Sequence, residues 1–270
     1  MNSIALAPTA DNSRATDSPL PGSVASIARQ SLAPLANRID QDGHYPLDIM
    51  GELGRAGAFS SHLDREGSRF DLALNDMASI SEHCGSTGFM TWCHDVCGLY
   101  MERSGNSALE ARLEDHASGQ SFGGTGLSNP MKALTNIEKM ALRATPVEGG
   151  HIVSGTLPWV SHISHGHYCG VIAVVCKPDG SRSHELMFML DINETVKLSK
   201  CPEFSGMEGT STWAIQLEEY FVSDAQVIAN PALPFIKKIR GAFILLQTGW
   251  AQGVIKASID ACNEVEPSLG

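Results

Sequence analysis

The sequence predicts an α+β protein: an N-terminal α-helical domain, an antiparallel β-barrel or sandwich in the middle, and the first helix of a truncated C-terminal helical bundle. Three observations predict it. Apolar residues keep three- and four-residue spacing to about residue 118, glycines and period-two alternation dominate to about residue 230, and helical spacing returns from Pro234. The implied division is a disordered tail over 1–22, helices over 23–118, strands over 119–230 and a terminal helix over 231–270.

The tail is rich in Ala, Ser, Thr and Pro and lacks the basic start and apolar stretch of a signal peptide, so disorder is expected. After Pro21-Gly22-Ser23, the residues Val24, Ile27, Ala28, Leu32, Leu35, Ala36 and Ile39 hold helical spacing. Pro46 opens a short helix that stops near Gly54 to Gly57. Residues 71–83 repeat the pattern through Leu72, Met77, Ile80 and Cys84, with Gly85 as the stop, and a longer helix follows over 87–103. Ser107-Ala-Leu-Glu110 carries a capping-box signal for one more, ending near Gly119.

Beyond Gly119, segments 140–145 and 152–155 flank Glu148-Gly-Gly150, a hairpin signal, and 168–176 joins 185–190 through Pro178-Asp-Gly180. With 210–218 they make five to seven strands. In the last part Ile239, Phe243, Leu246, Trp250, Val254, Ala257 and Ala261 form one apolar stripe. Nothing after residue 263 could cover it, so the chain reads as ending mid-domain with the stripe facing outward.

Thirty acidic against 19 basic residues give a charge of −11, which repels phosphate backbones and anionic lipids, so neither nucleic acid nor a membrane is an expected partner. No run approaches the ~20 apolar residues of a membrane helix. An anionic ligand would need local positive charge, for which Lys132, Lys139, Arg143, Lys237, Lys238 and Arg240 are the reserves. Seven cysteines without a C-x-x-C fit buried thiols in a reducing, cytoplasmic setting rather than a disulfide framework.

The chemistry concentrates in two segments about thirty residues apart: Phe122-Gly-Gly124-Thr125 and Ser154-Gly-Thr-Leu-Pro-Trp159-Val160-Ser161. A glycine turn with one threonine, beside a strand end with an aromatic and then a hydroxyl, suits a planar hydrogen-bonding heterocycle, a flavin above all. Trp159 and Ser161 are two apart and so share a strand face. The plain alternatives are a β turn at Thr125, a core indole and a surface serine.

In order and spacing these segments resemble the acyl-CoA dehydrogenase family, whose middle domain carries Y-x-x-T-E-P-x-x-G-S-D and then N-G-x-K-x-W-I-T. Glu52-Leu-Gly-Arg-Ala-Gly57, Glu208-Gly-Thr-Ser-Thr212 and Phe221-Val-Ser-Asp224 also resemble family segments, so the likeness runs from about residue 23 to the end. It implies a flavoprotein oxidoreductase acting on the CH–CH group of an acyl-CoA, with FAD, or alternatively FMN, and homo-oligomeric assembly. Phe122, Gly124, Thr125, Trp159, Val160 and Ser161 would then line the flavin, with Ser161 donating to the N5 side. Gly126-Leu127 and Pro130-Met131 depart from the family's Glu-Pro and Gly-Ser.

The catalytic base is unassigned. Dehydrogenation needs a carboxylate to take the α-proton, and the family places it on the first helix of its last bundle or near that bundle's far end, yet 235–259 contains no Asp or Glu. His94 is a weak candidate beside a satisfied core histidine. His162-Ile-Ser-His165-Gly-His167 fits no zinc spacing, and a solvated loop without metal is expected. The alternatives to a dehydrogenase are a reduced-flavin-dependent monooxygenase on the same scaffold, or a non-catalytic flavin-binding module.

Overall fold

The computed structural model describes residues 20–63, 67–201 and 203–265, so nearly all of the expected tail lies outside the described residues. The first helical run is broken into α1 (Val24–Ile27), a π turn (Ala28–Leu32), a 3-10 turn (Ala33–Leu35) and α2 (Ala36–Gln41). Pro34 is the reason, because it has no N–H to continue the ladder and the altered turns absorb it. Then come α3 (Leu47–Arg55), α4 (Phe70–His83), α5 (Gly85–Ser104), α6 (Ser107–Glu110) and α7 (Leu113–Ala117). Gly85 does not stop α4. Cys84, in extended conformation, ends it and caps α5 by accepting the Thr87 N–H at 3.5 Å. Asn106, rather than Ser107, caps α6 through the Ala108 N–H. Leu72 is exposed, and α4 buries Ala73, Met77, Ile80 and Ser81.

The strands are β1 (Gly123–Thr125), β2 (Leu142–Val147), β3 (Gly150–Val160), β4 (Tyr168–Cys176), β5 (Arg182–Asp191), β6 (Lys197–Lys200), β7 (Trp213–Ser223) and β8 (Val227–Ala229). They form one sheet in the order β6-β7-β3-β2-β4-β5-β8, with β1 on β4. Both hairpins stand where the turn pairs predict them. The sheet departs from a purely antiparallel one at two parallel pairs, β1–β4 and β2–β4. The described residues hold eight strands rather than five to seven because β1, β6 and β8 are too short to alternate visibly. A helix, α8 (Ser128–Leu134), interrupts the strands.

Every residue of β4 is buried, which is why it reads as an unbroken apolar run. Tyr168 and Ile172 face the helical core, whereas Cys169, Val171, Ala173 and Val175 face β3 and β7. The sheet is thus packed on both sides at its centre.

The last element, α9 (Ala232–Val265), corrects the expectation of an outward stripe. Ile239 and Leu246 are buried, Phe243 meets Trp92 at 5.2 Å and Trp250 meets Phe89 at 5.4 Å. The Trp250 indole donates to Gly85 O at 3.0 Å. Helices α4 and α5 cover the stripe from Ile239 to Trp250, whereas Val254 and Ala261 are exposed as the outward reading expects, and the open face also carries Ile244, Leu245, Ile255 and Ile259. Contact is closest at two glycines: a Cβ on Gly249 would lie 3.0 Å from Leu74 O, and one on Gly253 only 2.2 Å from Ala78 O. Gly253→Leu is therefore expected to cost about 3 kcal/mol, since backbone cannot yield as a side chain does. A urea midpoint equal to the parent's would mean that α9 is not seated on α4.

Candidate functional site

The end of β3 is shaped by a bulge. Leu157 pairs with Ile215 but Val160 pairs with Trp213, so β3 holds one residue more than β7 here. Pro158, which has no N–H to give to the ladder, lies within it. Leu157 and Val160 enter the core, and Trp159 stands 46% exposed. Its ring meets Phe204 at 5.8 Å. Ser161 follows, half-buried, with Oγ 2.7 Å from Thr212 Oγ1, which lies 2.8 Å from Thr210 Oγ1. Phe204 and Thr212 both line a cavity of about 700 Å3 that also takes in Asp40, Tyr45, Lys200 and Glu208. Trp159 itself borders a cleft of about 30 Å3 with Gly126, Lys132 and Leu157.

The glycine turn packs directly against this strand end. A Cβ on Gly124 would lie 2.7 Å from Ser161 O, so only glycine lets β1 approach so closely. The Thr125 hydroxyl points the other way, 2.9 Å from Tyr100 of α5. Phe122 sits among imidazoles, 5.6 Å from each of His94, His162 and His167. The six sequence-selected residues are thus not one lining: Trp159 borders the small cleft, Ser161 lines neither space and meets the large cavity only through Thr212, Gly124 is the contact between segments, and Phe122, Thr125 and Val160 pack behind it.

His94 is wholly buried, and its two ring nitrogens are both engaged with backbone. Nε2 lies 3.0 Å from His116 O, and Nδ1 accepts the Gly123 N–H at 3.3 Å. His116 stacks on it at 3.6 Å and returns a bond to His94 O. His116 Nδ1 then meets the Tyr168 hydroxyl at 2.9 Å, and that hydroxyl meets Ser121 at 2.9 Å. This is a brace that ties β1 and β4 to α5 and α7, and His94 is the satisfied core histidine.

The expected solvated loop is also corrected. His162 and His167 are buried; only His165 of the three is exposed. His162 sits at φ 63°, with Nδ1 2.9 Å from the Tyr45 hydroxyl. No group of three or more potential metal ligands is found among the described residues.

Burial governs the ionisation of this region. It pushes His94 down to about 3 and His62 down to about 4, and holds His116 and His162 well below the usual histidine range, with neighbouring imidazoles adding to the effect on the last two. Asp95, facing His62 at 3.9 Å, is raised well above the carboxylate range by burial and then by Asp76, itself raised to about 6 by burial. Near the cavity, Asp40 accepts the Met207 N–H at 3.0 Å and Glu208 accepts the Phe204 N–H. Of the basic reserves, Lys132 pairs with Glu138 at 2.8 Å and Lys238 reaches Arg103 O at 3.3 Å.

Thr210, Thr212, Tyr45 and Phe204 were not picked out as site residues. The first two lie in Glu208-Gly-Thr-Ser-Thr212, where alternating threonines were the available signal; Tyr45 and Phe204 have no local one.

Residues 19–120 match the family model of the acyl-CoA dehydrogenase N-terminal domain. Isovaleryl-CoA dehydrogenase of Solanum tuberosum is 25% identical over 263 residues, covering 90% of this chain and 60% of that protein. A "probable acyl-CoA dehydrogenase" of Bacillus subtilis (strain 168) is 24% identical over 255 residues, covering 89% of this chain and 67% of its own length. The structure of butyryl-CoA dehydrogenase from Megasphaera elsdenii superposes with a TM-score of 0.77 at 17% identity, over 89% of this chain and 66% of that one. The chain thus spans about two thirds or less of these relatives. In sequence over its N-terminal helices, and in fold through the middle β-structure, this chain is similar to acyl-CoA dehydrogenases.

Proposed function

We propose that the chain supplies the flavin edge of an acyl-CoA dehydrogenase-like flavoprotein oxidoreductase acting on the CH–CH group of an acyl thioester, with FAD as cofactor. The observation that carries this reading is the open indole of Trp159 beside Ser161, both reaching residues of one large cavity. That combination of a flat apolar wall, a hydroxyl and adjoining space fits an isoalloxazine. When bound, the flavin would supply hydride acceptance at N5. Trp159 would wall the ring and Ser161 would meet its N5 side. Gly124 would hold the strand end in place, and Thr125, Phe122 and Val160 would support it from behind. Trp159→Ala with Ser161→Ala is expected to weaken FAD binding at least several-fold, since a ring contact and a hydrogen bond are each worth about 1 kcal/mol. Fluorescence titration with FAD, and with FMN in parallel, reads this out; equal affinity in the double variant would place the ring elsewhere.

A second reading, a reduced-flavin-dependent monooxygenase, is favoured by the absence of any Asp or Glu over 235–259 and by the engagement of both His94 nitrogens. Anaerobic mixing of the FAD-loaded chain with a panel of acyl-CoAs separates them. Bleaching of the oxidised flavin spectrum supports the dehydrogenase; turnover only with a flavin reductase and oxygen supports the monooxygenase. The same proposal includes a cytoplasmic setting, supported by seven unpaired cysteines, and homo-oligomers, supported by the open apolar face of α9. No described helix is long and apolar enough to cross a membrane.

A further inference from the structure

His62, in the turns after α3, and Asp95, in the middle of α5, are both fully buried. Three of their side-chain atoms have no partner among the described residues: His62 Nδ1 and both carboxyl oxygens of Asp95. The other ring nitrogen fixes the tautomer. Nε2 lies 2.8 Å from the Asp95 backbone carbonyl, which can only accept, so Nε2 carries the hydrogen and a neutral ring leaves Nδ1 a bare lone pair. That lone pair faces Asp95 Oδ2 at 3.9 Å. An ionised Asp95 would set two acceptors against each other inside the core, the arrangement that burial penalises most. One hydrogen on the carboxyl removes the conflict, and a side-chain rotation that shortens the gap by about 1 Å turns it into a hydrogen bond. The charged and titratable groups around the pair favour the same arrangement. Asp76 on α4 opposes a negative Asp95, and Arg103 on α5 opposes a positive His62. His94 on α5 and His116 on α7 also face His62, and burial keeps both rings neutral.

We propose that Asp95 holds a proton at neutral pH and shares it with His62 Nδ1, making a base-released latch between α5 and the segment that follows α3. That segment carries Phe59, whose ring meets His94 at 4.4 Å, and Ser60, Ser61 and Leu63, which line a cavity of about 390 Å3 shared with Arg69, Leu72 and Ala117. Loss of the proton leaves a carboxylate against the bare nitrogen. The segment is then pushed off α5 and the wall of that cavity loosens. The sign follows from the raised folded-state value of Asp95. The unfolded chain gives up this proton near about pH 4, so the contribution of the pair is complete below that and falls as pH rises, until the folded acid ionises and the latch opens.

The test compares the full chain with Asp95→Asn, whose amide hydrogen can replace that of the acid toward Nδ1 but cannot titrate. Infrared difference spectra at neutral pH are expected to show the carbonyl band of a protonated carboxylic acid in the parent and its loss in the variant. Urea unfolding is expected to give Asp95→Asn a folding constant at least tenfold above the parent's at neutral pH, and the advantage should grow by up to about tenfold per pH unit on the alkaline side. Comparing the two chains cancels the buried thiols Cys93, Cys97 and Cys169, which are common to both. Hydrogen exchange, corrected for intrinsic rates, is expected to show residues 58–63 losing about tenfold more protection in the parent than in Asp95→Asn once the acid ionises. Absence of the acid band, or a variant no more stable than the parent, marks an ionised Asp95 and overturns the proposal. Equal protection of 58–63 in both chains at every pH overturns the latch. None of these measurements involves a flavin, so their outcome is independent of the cofactor reading.

Discussion

Acidification from pH 7 to pH 5 is expected to remove about 3–4 kcal/mol of the stability of this chain, before general carboxylate protonation. The cause is the cluster of buried, neutral histidines at the junction of helices and sheet. Their folded-state values are depressed, so above about pH 6.5 the folded and unfolded states hold equal protons on these rings and stability is fully present. Below that, the unfolded rings bind protons that the folded ones refuse until about pH 4 at His62 and about pH 3 at His94. Each such ring lowers stability by about 1.4 kcal/mol per pH unit. Asp95 and Asp76 act in the opposite sense, because their raised values retain protons that the unfolded chain releases. Against them stand four fully buried histidines, His62, His94, His116 and His162. The net slope is about 3 kcal/mol per unit between pH 6 and 5, against a typical total stability of about 5–15 kcal/mol. Urea unfolding at pH 7.5, 6.5 and 5.5 reads it directly; a midpoint independent of pH would sink the assignment.

His94→Ala is expected to cost about 3–5 kcal/mol, from the cavity left by a buried ring and from two backbone groups losing their partner. Those groups are Gly123 N–H and His116 O. The urea midpoint should fall by roughly 1–2 M for a chain of this size. Because Gly123 opens β1, the glycine turn loses its tether to α5, and FAD affinity should fall with stability rather than independently of it. A variant that kept full stability but lost turnover would return His94 to the role of catalytic base.

The long elements were legible because their periodicity is long. Helix α5 was placed within two residues at its start and one at its end, and both hairpins were marked by their turn residues. Helix α8 was hidden by its length of seven residues and by Pro130 in its first turn, β6 and β8 by having four and three residues. The stripe of α9 was legible as a stripe, but its partner was not: the fit of Trp250 to Gly85 joins residues 165 apart. The same holds at the candidate site. Trp159 and Ser161 could be selected locally, whereas the Ser161–Thr212 contact spans 51 residues and the Tyr45–His162 contact 117. Isolated histidines carry no periodic sign of burial, which is why His162 and His167 read as loop.

The two glycines of α9 also decide how that helix can move. Sliding by one turn in one direction would bring Leu245 to the Leu74 carbonyl; in the other it would bring Ala257 to the Ala78 carbonyl, where even a Cβ has 2.2 Å. Either slip drives carbon into space sized for hydrogen, so α9 is keyed to α4 and axial shear is closed to it. What remains is rotation of the pair as one body. Because α9 also touches α5 directly, with Trp250 on Gly85 O and Phe243 on Trp92, the keyed pair is joined at two places to the helix that holds His94 and, through it, the first residue of β1.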